Sequence, residues 1–212
     1  PASSLRALPD TVDDTAGALV EPGGNAYRSA EAADVGAGER VLVFGAGTIG
    51  LLAAMFARAR GAEVHLLGRS ERSLTFARSL GFPSAWSDET LPDLPWDAVI
   101  DASNAAQLPA RAVELVEPGR RVVFVGLAGS PSLVDTRALA LADVTGVGIL
   151  SASPGLDGTI EAYASGAVDP RPLVAATVPL EGVPAILAGE RPPGAGPGPK
   201  FHIDIRHPGG TP

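Results

Sequence analysis

The feature that most limits what this chain can become is Arg40-Val41-Leu42-Val43-Phe44 running without a break into Gly45-Ala46-Gly47-Thr48-Ile49-Gly50. An unbroken apolar, β-branched run, as opposed to an alternating one, suits a strand covered on both faces, as in a parallel sheet. Residues 49–60 then place small and apolar side chains at helical spacing and stop at Gly61. The pattern repeats. Residues 63–67 (EVHLL) read as a strand, 71–80 as a helix stopped by Gly81, 97–101 (DAVID) as a strand, 105–116 as a helix and 121–125 (RVVFV) as a strand. Residues 144–150 (VTGVGIL) close the series as a last strand, weakened by two glycines and expected at the open edge. Strands alternating with helices of this length predict right-handed crossovers and an α/β, doubly wound parallel sheet.

The turn after the first strand is G-x-G-x-x-G, and each glycine has a task. The first makes the tight turn, the second lets a pyrophosphate reach the backbone, and the third lets helix and sheet pack closely. Free amides and the positive dipole end of the helix then hold the anion. Gly45, Ala46, Gly47, Thr48, Ile49 and Gly50 are therefore candidate dinucleotide-binding residues of a Rossmann fold. An NAD-selecting site places Asp or Glu at the end of the second strand, about 20 residues on, to hold the ribose 2′-hydroxyl. Here that position is Gly68, followed by Arg69, Ser70, Glu71 and Arg72. Loss of the acid removes repulsion toward a 2′-phosphate, two guanidinium groups match phosphate oxygens, and Ser70 adds a hydroxyl. NADP is favoured over NAD. Glu71, one register late for a ribose acid, is the residue that speaks for NAD, and a solvated helix start is the bland alternative.

Charge and composition narrow the partners. With 24 acidic against 16 basic residues the net charge is −8, which argues against nucleic acid. No run of 18 apolar residues and no basic-then-apolar leader occur, so no membrane partner is expected and the cytoplasm is the expected compartment. The chain has no cysteine, which removes disulfides and thiolate chemistry. Glycine and proline cluster as punctuation at Glu21-Pro22-Gly23-Gly24, Gly36-Ala37-Gly38, Pro118-Gly119 and residues 192–199, the last an exposed loop or linker. Residues 1–35 carry a helix-like stretch near 13–20 and no strand of the series. Residues 201–205 (FHIDI) alternate like a half-buried strand outside the series, which suggests a second structural unit.

Taken together, Ala18-Leu19-Val20-Glu21-Pro22, the run from Val35 to Phe44, GAGTIG, Arg120 to Gly126, and Ser165-Gly166-Ala167-Val168-Asp169 with Pro172-Leu173 resemble the medium-chain dehydrogenase/reductase superfamily. Within it they resemble the zinc-dependent alcohol, polyol and threonine dehydrogenase branch. The resemblance covers nearly the whole chain. It implies a cofactor-binding half whose N-terminal catalytic domain, a GroES-like β-barrel, is absent, as in an excised, truncated or split chain. Residues 1–20 would be a leftover of that domain, 21–174 the NAD(P)-binding domain, and 175–212 a return segment to the barrel, with 201–205 an orphaned strand of it. It further implies Glu21 as a metal-ligand candidate for zinc, with a helix-end carboxylate as the alternative. Open α/β sheets bind ligands at strand carboxyl ends, which singles out Ser103 and Asn104 after Asp101. Both residue types also suit helix capping. The resemblance adds Gly126, Leu127, Ile149, Leu150 and Ser151 to the nicotinamide side. None of His65, His202 and His207 pairs with another at metal-ligand spacing, and none is expected to be catalytic.

The intact protein is thus expected to be an NADP(H)-dependent oxidoreductase moving hydride to or from a small alcohol or carbonyl substrate, with zinc as Lewis acid. The rivals are a zinc-independent quinone or enoyl reductase of the same superfamily and a non-catalytic NADP-binding module. The resemblance also implies a homodimer joined through the edge strand 144–150.

Overall fold

The structure, a computed structural model, describes residues 4–206. Six strands form one parallel sheet: β1 Arg40–Phe44, β2 Glu63–Leu67, β3 Ala85–Trp86, β4 Trp96–Asp101, β5 Val116–Phe124 and β6 Thr145–Gly148. Their order is β3-β2-β1-β4-β5-β6, the doubly wound arrangement whose direction reverses between β1 and β4. β6 stands at the edge, as expected, although it is shorter than the seven residues anticipated. The unbroken apolar runs are explained by two cores. Val41, Val43, Leu66, Ile100 and Val123 face one cluster, while Leu42, Phe44, Leu67, Val99 and Val122 face the other.

The first cluster is covered by α2 (Val20–Ala33), α3 (Thr48–Ala59), α4 (Glu71–Ser79) and α7 (Leu156–Ala164), the second chiefly by α5 (Leu108–Leu115). A short α1 (Asp14–Gly17) precedes them, capped by Asp13, whose carboxylate accepts from the Ala16 amide at 2.8 Å. Helix α2 corrects the reading of Glu21-Pro22-Gly23-Gly24 as punctuation. Pro22 lies in the first turn, where its missing N–H has no intrahelical acceptor to lose. The two glycines are packing devices: a Cβ on Gly23 would lie 2.5 Å from Thr159 and Tyr163, and one on Gly24 would lie 2.6 Å from the Ala152 carbonyl. The Tyr163 hydroxyl donates to the Leu19 carbonyl at 3.2 Å, locking α7 to the start of α2.

Three further differences have local causes. The helix expected over 105–116 begins only at Leu108, with Pro109 in its first turn. Strand β5 starts at Val116 and bulges before pairing Arg121 with Ala98, with Gly119 at φ +76° in the irregular stretch. Strand β3 was not anticipated because it spans two residues. Beyond the sheet, α6 is Thr136–Leu141, and β7 (Val174–Pro179) pairs in parallel with β8 (Lys200–Asp204) as a separate two-stranded sheet, with α8 (Val183–Leu187) in the crossover. The C-terminal strand expected at 201–205 is present as Lys200–Asp204 and, among the described residues, pairs with β7 of the same chain. His207 lies outside the described residues. Among the described residues no helix is long and apolar enough to cross a membrane.

Candidate cofactor-binding site

The carboxyl ends of the six strands are stitched into one line by backbone hydrogen bonds. Gly68 donates to the Trp86 carbonyl (2.9 Å), Gly45 to Leu67 (2.8 Å), Ala102 to Phe44 (3.0 Å), Gly126 to Asp101 (2.8 Å) and Ile149 to Phe124 (2.9 Å). The glycine turn, the Gly68–Arg72 turn and the turns at 102–104, 126–127 and 149–151 thus share one edge, where open α/β sheets bind ligands.

The three glycines of the turn differ in what they tolerate. Gly45 sits at φ +95°, which L side chains rarely adopt, and a Cβ there would come within 2.9 Å of the Ala102 carbonyl. A Cβ on Gly50 would run into the Gly45 carbonyl, so that glycine seats α3 against the turn. Gly47 is different. It caps α3 in extended conformation at φ −95°, and a Cβ there would meet nothing within 4 Å. The protein does not need that glycine for its own packing; the space beside it is a cradle that a side chain would fill. The first backbone bond of α3 is Leu51 to Gly47 at 2.9 Å, so the amides of Thr48, Ile49 and Gly50 have no acceptor four residues back inside the helix. This geometry fits a pyrophosphate.

At the end of β2, Gly68 is buried while Arg69, Ser70 and Arg72 are exposed. Ser70 caps α4: its hydroxyl accepts from the Ser73 amide at 3.2 Å and donates to the Ser73 hydroxyl at 2.9 Å. Glu71 is occupied, accepting from Arg78 at 2.6 Å and from Thr75 at 3.1 Å, and Arg78 leads the causes that hold its carboxyl below the usual range. Arg69 and Arg72 engage no carboxylate among the described residues, although Arg40, Arg78, Arg111 and Arg120 all do. Just inside the sheet, the Trp86 indole donates to His65 Nδ1 at 3.0 Å, so His65 carries its proton on Nε2 and gives it to Glu63 at 2.8 Å. His65 is a buried structural residue.

On the other half of the edge, Asp101 is 3% exposed, and burial pushes its carboxyl above the ordinary range against the opposing hydrogen bonds from Ser103. Its carboxylate accepts from the Ser103 amide at 2.9 Å, and its carbonyl takes the Val125 and Gly126 amides. Ser103 Oγ accepts from the Ala105 amide at 3.3 Å, which makes a turn rather than a cap, since α5 begins later with Gln107 at its cap position. Asn104 is exposed and caps no helix. Gly126 is required by proximity, because any Cβ would strike the Ser103 backbone. Leu127 and Leu150 are 77% and 82% exposed, apolar side chains left in the open at this edge. Ile149 is half-buried, and the Ser151 carbonyl accepts from Arg28. An open cleft of about 530 Å³ runs from Phe124 and Gly126 along Gly129 and Ser130 to Val134. Sequence reasoning singled out only Gly126 and Leu127 of this cleft; the small residues Ala128-Gly129-Ser130 directly after a strand were the available signal.

Glu21 lies exposed in the first turn of α2 and accepts from Asn25 at 3.3 Å. Among the described residues no three His, Cys, Asp or Glu side chains gather where they could hold a metal. One carboxylate does not supply the four-coordinate set that zinc takes, so these residues do not by themselves fit a zinc ion.

Comparison with known proteins agrees with this geometry. The family model described as zinc-binding dehydrogenase matches residues 48–165. An L-threonine 3-dehydrogenase of Colwellia psychrerythraea is 30% identical over 160 residues, covering 70% of this chain and 47% of its own length. Among solved structures, a short chain alcohol dehydrogenase, rspB, from Escherichia coli CFT073 complexed with NADH superposes with a TM-score of 0.83 at 22% identity, covering 92% of this chain and 61% of that one. A protein of Sinorhizobium meliloti 1021 bound to NADP gives 0.81 at 21% identity, covering the same shares. At these identities the two structures speak for the fold. The chain spans about half the length of the curated relatives it matches.

Proposed function

Because this chain belongs to the zinc-binding dehydrogenase family, we propose that it is the cofactor-binding part of an NADP(H)-dependent, alcohol dehydrogenase-like oxidoreductase. The observation that carries the reading is the open space at Gly47 above the first-turn amides of α3, on the same edge as Gly68 and Arg69. The first-turn amides of Thr48, Ile49 and Gly50 would receive the pyrophosphate. Arg69 and Arg72 would receive the 2′-phosphate, with Gly68 leaving no carboxylate to repel it. The turns at Ser103, Gly126 and Ile149 would orient the nicotinamide half, whose C4 supplies or accepts the hydride when bound. Orientation is the contribution of this chain: Asp101 fixes two of those turns at once, and Leu127 with Leu150 would shield the ring from water. The substrate class is a small alcohol or its carbonyl partner. For a zinc ion the described residues supply Glu21 as a candidate ligand and gather no three His, Cys, Asp or Glu side chains around it.

The exposed edge of β6 supports a second element of the proposal, a homodimer with a continuous sheet. Thr145, Gly146 and Gly148 are exposed, and among the described residues no strand pairs with β6 on the side away from β5. Calorimetric titration of the chain with NADPH and NADH tests the cofactor reading. Tighter binding of NADPH is expected, and equal affinity for the two would overturn it.

A further inference from the structure

His65 lies in the middle of β2, 3% exposed, and the cofactor reading gives it no task. Its Nδ1 accepts from the half-buried Trp86 indole at 3.0 Å and its Nε2 donates to Glu63 at 2.8 Å, which requires the neutral ring. The Trp86 ring lies 23° from coplanar with the imidazole, and Trp96 meets it edge-on at 4.9 Å. The charged groups on the elements around it are paired. Glu63 also binds Arg40 of β1 at 3.0 Å, and Asp97 of β4 takes the Arg40 amide at 2.8 Å and Arg120 at 2.7 Å. Asp88, past β3, pairs with Arg111 of α5. Protonation would put an N–H on Nδ1 against the indole N–H, donor facing donor, while Glu63 would still accept from Nε2. Trp86 is the contact that a proton breaks.

The backbone of Trp86 sets the ribose end of the candidate site. Strand β3 is only Ala85–Trp86, paired with Leu66 and Leu67, and the Trp86 carbonyl accepts from the Gly68 amide at 2.9 Å. So short a strand makes few ladder bonds, and the indole anchor weighs heavily in where Trp86 sits. Gly68 in turn packs on the glycine turn: a Cβ there would lie 3.4 Å from the Ala46 Cβ and 2.7 Å from Leu74. We propose that His65 is a positioning residue for the ribose end of the cofactor site, holding the Gly68 turn through Trp86 only while its ring is neutral. The inference rests on the NADP(H) reading above and adds regulation to that site. Dinucleotide affinity falls as the ring gains a proton, and by linkage a bound dinucleotide favours the neutral ring.

The test is calorimetric titration of the whole chain with NADP⁺ at pH 8 and pH 5.5, beside tryptophan emission at both, after thermal melts confirm folding. Wild type is compared with His65→Asn, whose Oδ1 can accept from the indole but does not titrate, and with His65→Leu, which removes the acceptor. The 2′-phosphate of NADP⁺ itself gains a proton in this range, so His65→Asn is the reference at each pH. The fall in affinity from pH 8 to pH 5.5 is expected to be about tenfold larger in wild type than in His65→Asn, as for one lost buried hydrogen bond. Wild-type emission should shift to the red on acidification, and that of His65→Asn should not. His65→Leu should bind about tenfold more weakly than His65→Asn at both pH values; equal affinity of the two would overturn the positioning role. Trp86→Phe, which has no donor for a proton to displace, serves as the reference if His65→Asn does not fold. A wild type that binds no NADP⁺ at pH 8 overturns the NADP(H) reading and this inference with it. Binding at pH 8 with the same pH dependence in wild type and reference overturns this inference alone.

Discussion

Replacing Gly47 with valine should separate cofactor binding from folding. Gly47 adopts φ −95°, ψ −169°, an extended conformation that β-branched residues occupy readily, and its Cβ position is empty to 4 Å. Loss of a glycine N-cap costs about 0.5–1 kcal/mol, and the stiffer unfolded chain offsets about 0.4–1 kcal/mol of that. The thermal midpoint should therefore move by only a few degrees. Binding should respond very differently. The new methyl groups occupy the volume where phosphate oxygens meet the first-turn amides of α3. Two charge-assisted hydrogen bonds at about 1.5–3 kcal/mol each would be lost, or roughly 10²–10⁴-fold in affinity. Gly50→Ala is the opposite control: its Cβ would strike the Gly45 carbonyl, so the variant should lose stability outright. Calorimetric titration with NADPH beside a thermal melt reads both effects. A folded Gly47→Val chain that binds NADPH within about threefold of wild type would refute the cradle.

Arg69→Ala should weaken NADPH about tenfold or more while leaving NADH nearly unchanged, read by the same titration. For the dimer, Ile149 donates to β5, so strand alternation points the Val147 amide inward and the Gly148 amide outward. Gly148→Pro should thus halve the mass in light scattering while cofactor affinity persists; a wild-type chain that is monomeric at micromolar concentration would sink the edge-to-edge arrangement. Hydrogen bonds from Arg40 and His65 hold the Glu63 carboxyl at about 2, below its ordinary 4.5. Its stabilisation is complete above about 4.5 and is lost as pH falls through about 2, so Glu63→Gln should flatten the acid limb of stability measured by urea unfolding across that window.

The fold was legible where one residue run carried one message. Arg40–Phe44 and Glu63–Leu67 have their expected bounds because their buried positions are apolar except for His65 and a glycine follows each run. Helix α2 was hidden, since Glu-Pro-Gly-Gly reads as a breaker until Tyr163 and Ala152 supply the surfaces that need glycine. Ala85–Trp86 is too short to show periodicity, and its pairing with Leu66 and Leu67 exists only in three dimensions. The glycine turn was readable from spacing alone. The demand for glycine at 126 was not, because it comes from Ser103, twenty-three residues earlier in the chain.

The glycine-lined seam between α2 and α7 also sets a schedule for synthesis. Leu19 and Tyr163 are 144 residues apart, so α2 leaves the ribosome long before α7. At about 5–20 residues per second, the 130 residues from Ala33 to Tyr163 represent a delay of roughly 7–26 s. For most of that time Gly23 and Gly24 lack the surfaces they fit, and α2, weakened by two glycines, has α3 to pack on through Tyr27 and Phe56. The seam between α2 and α7 would thus be among the last contacts to form, closing over a sheet whose earlier strands are already paired.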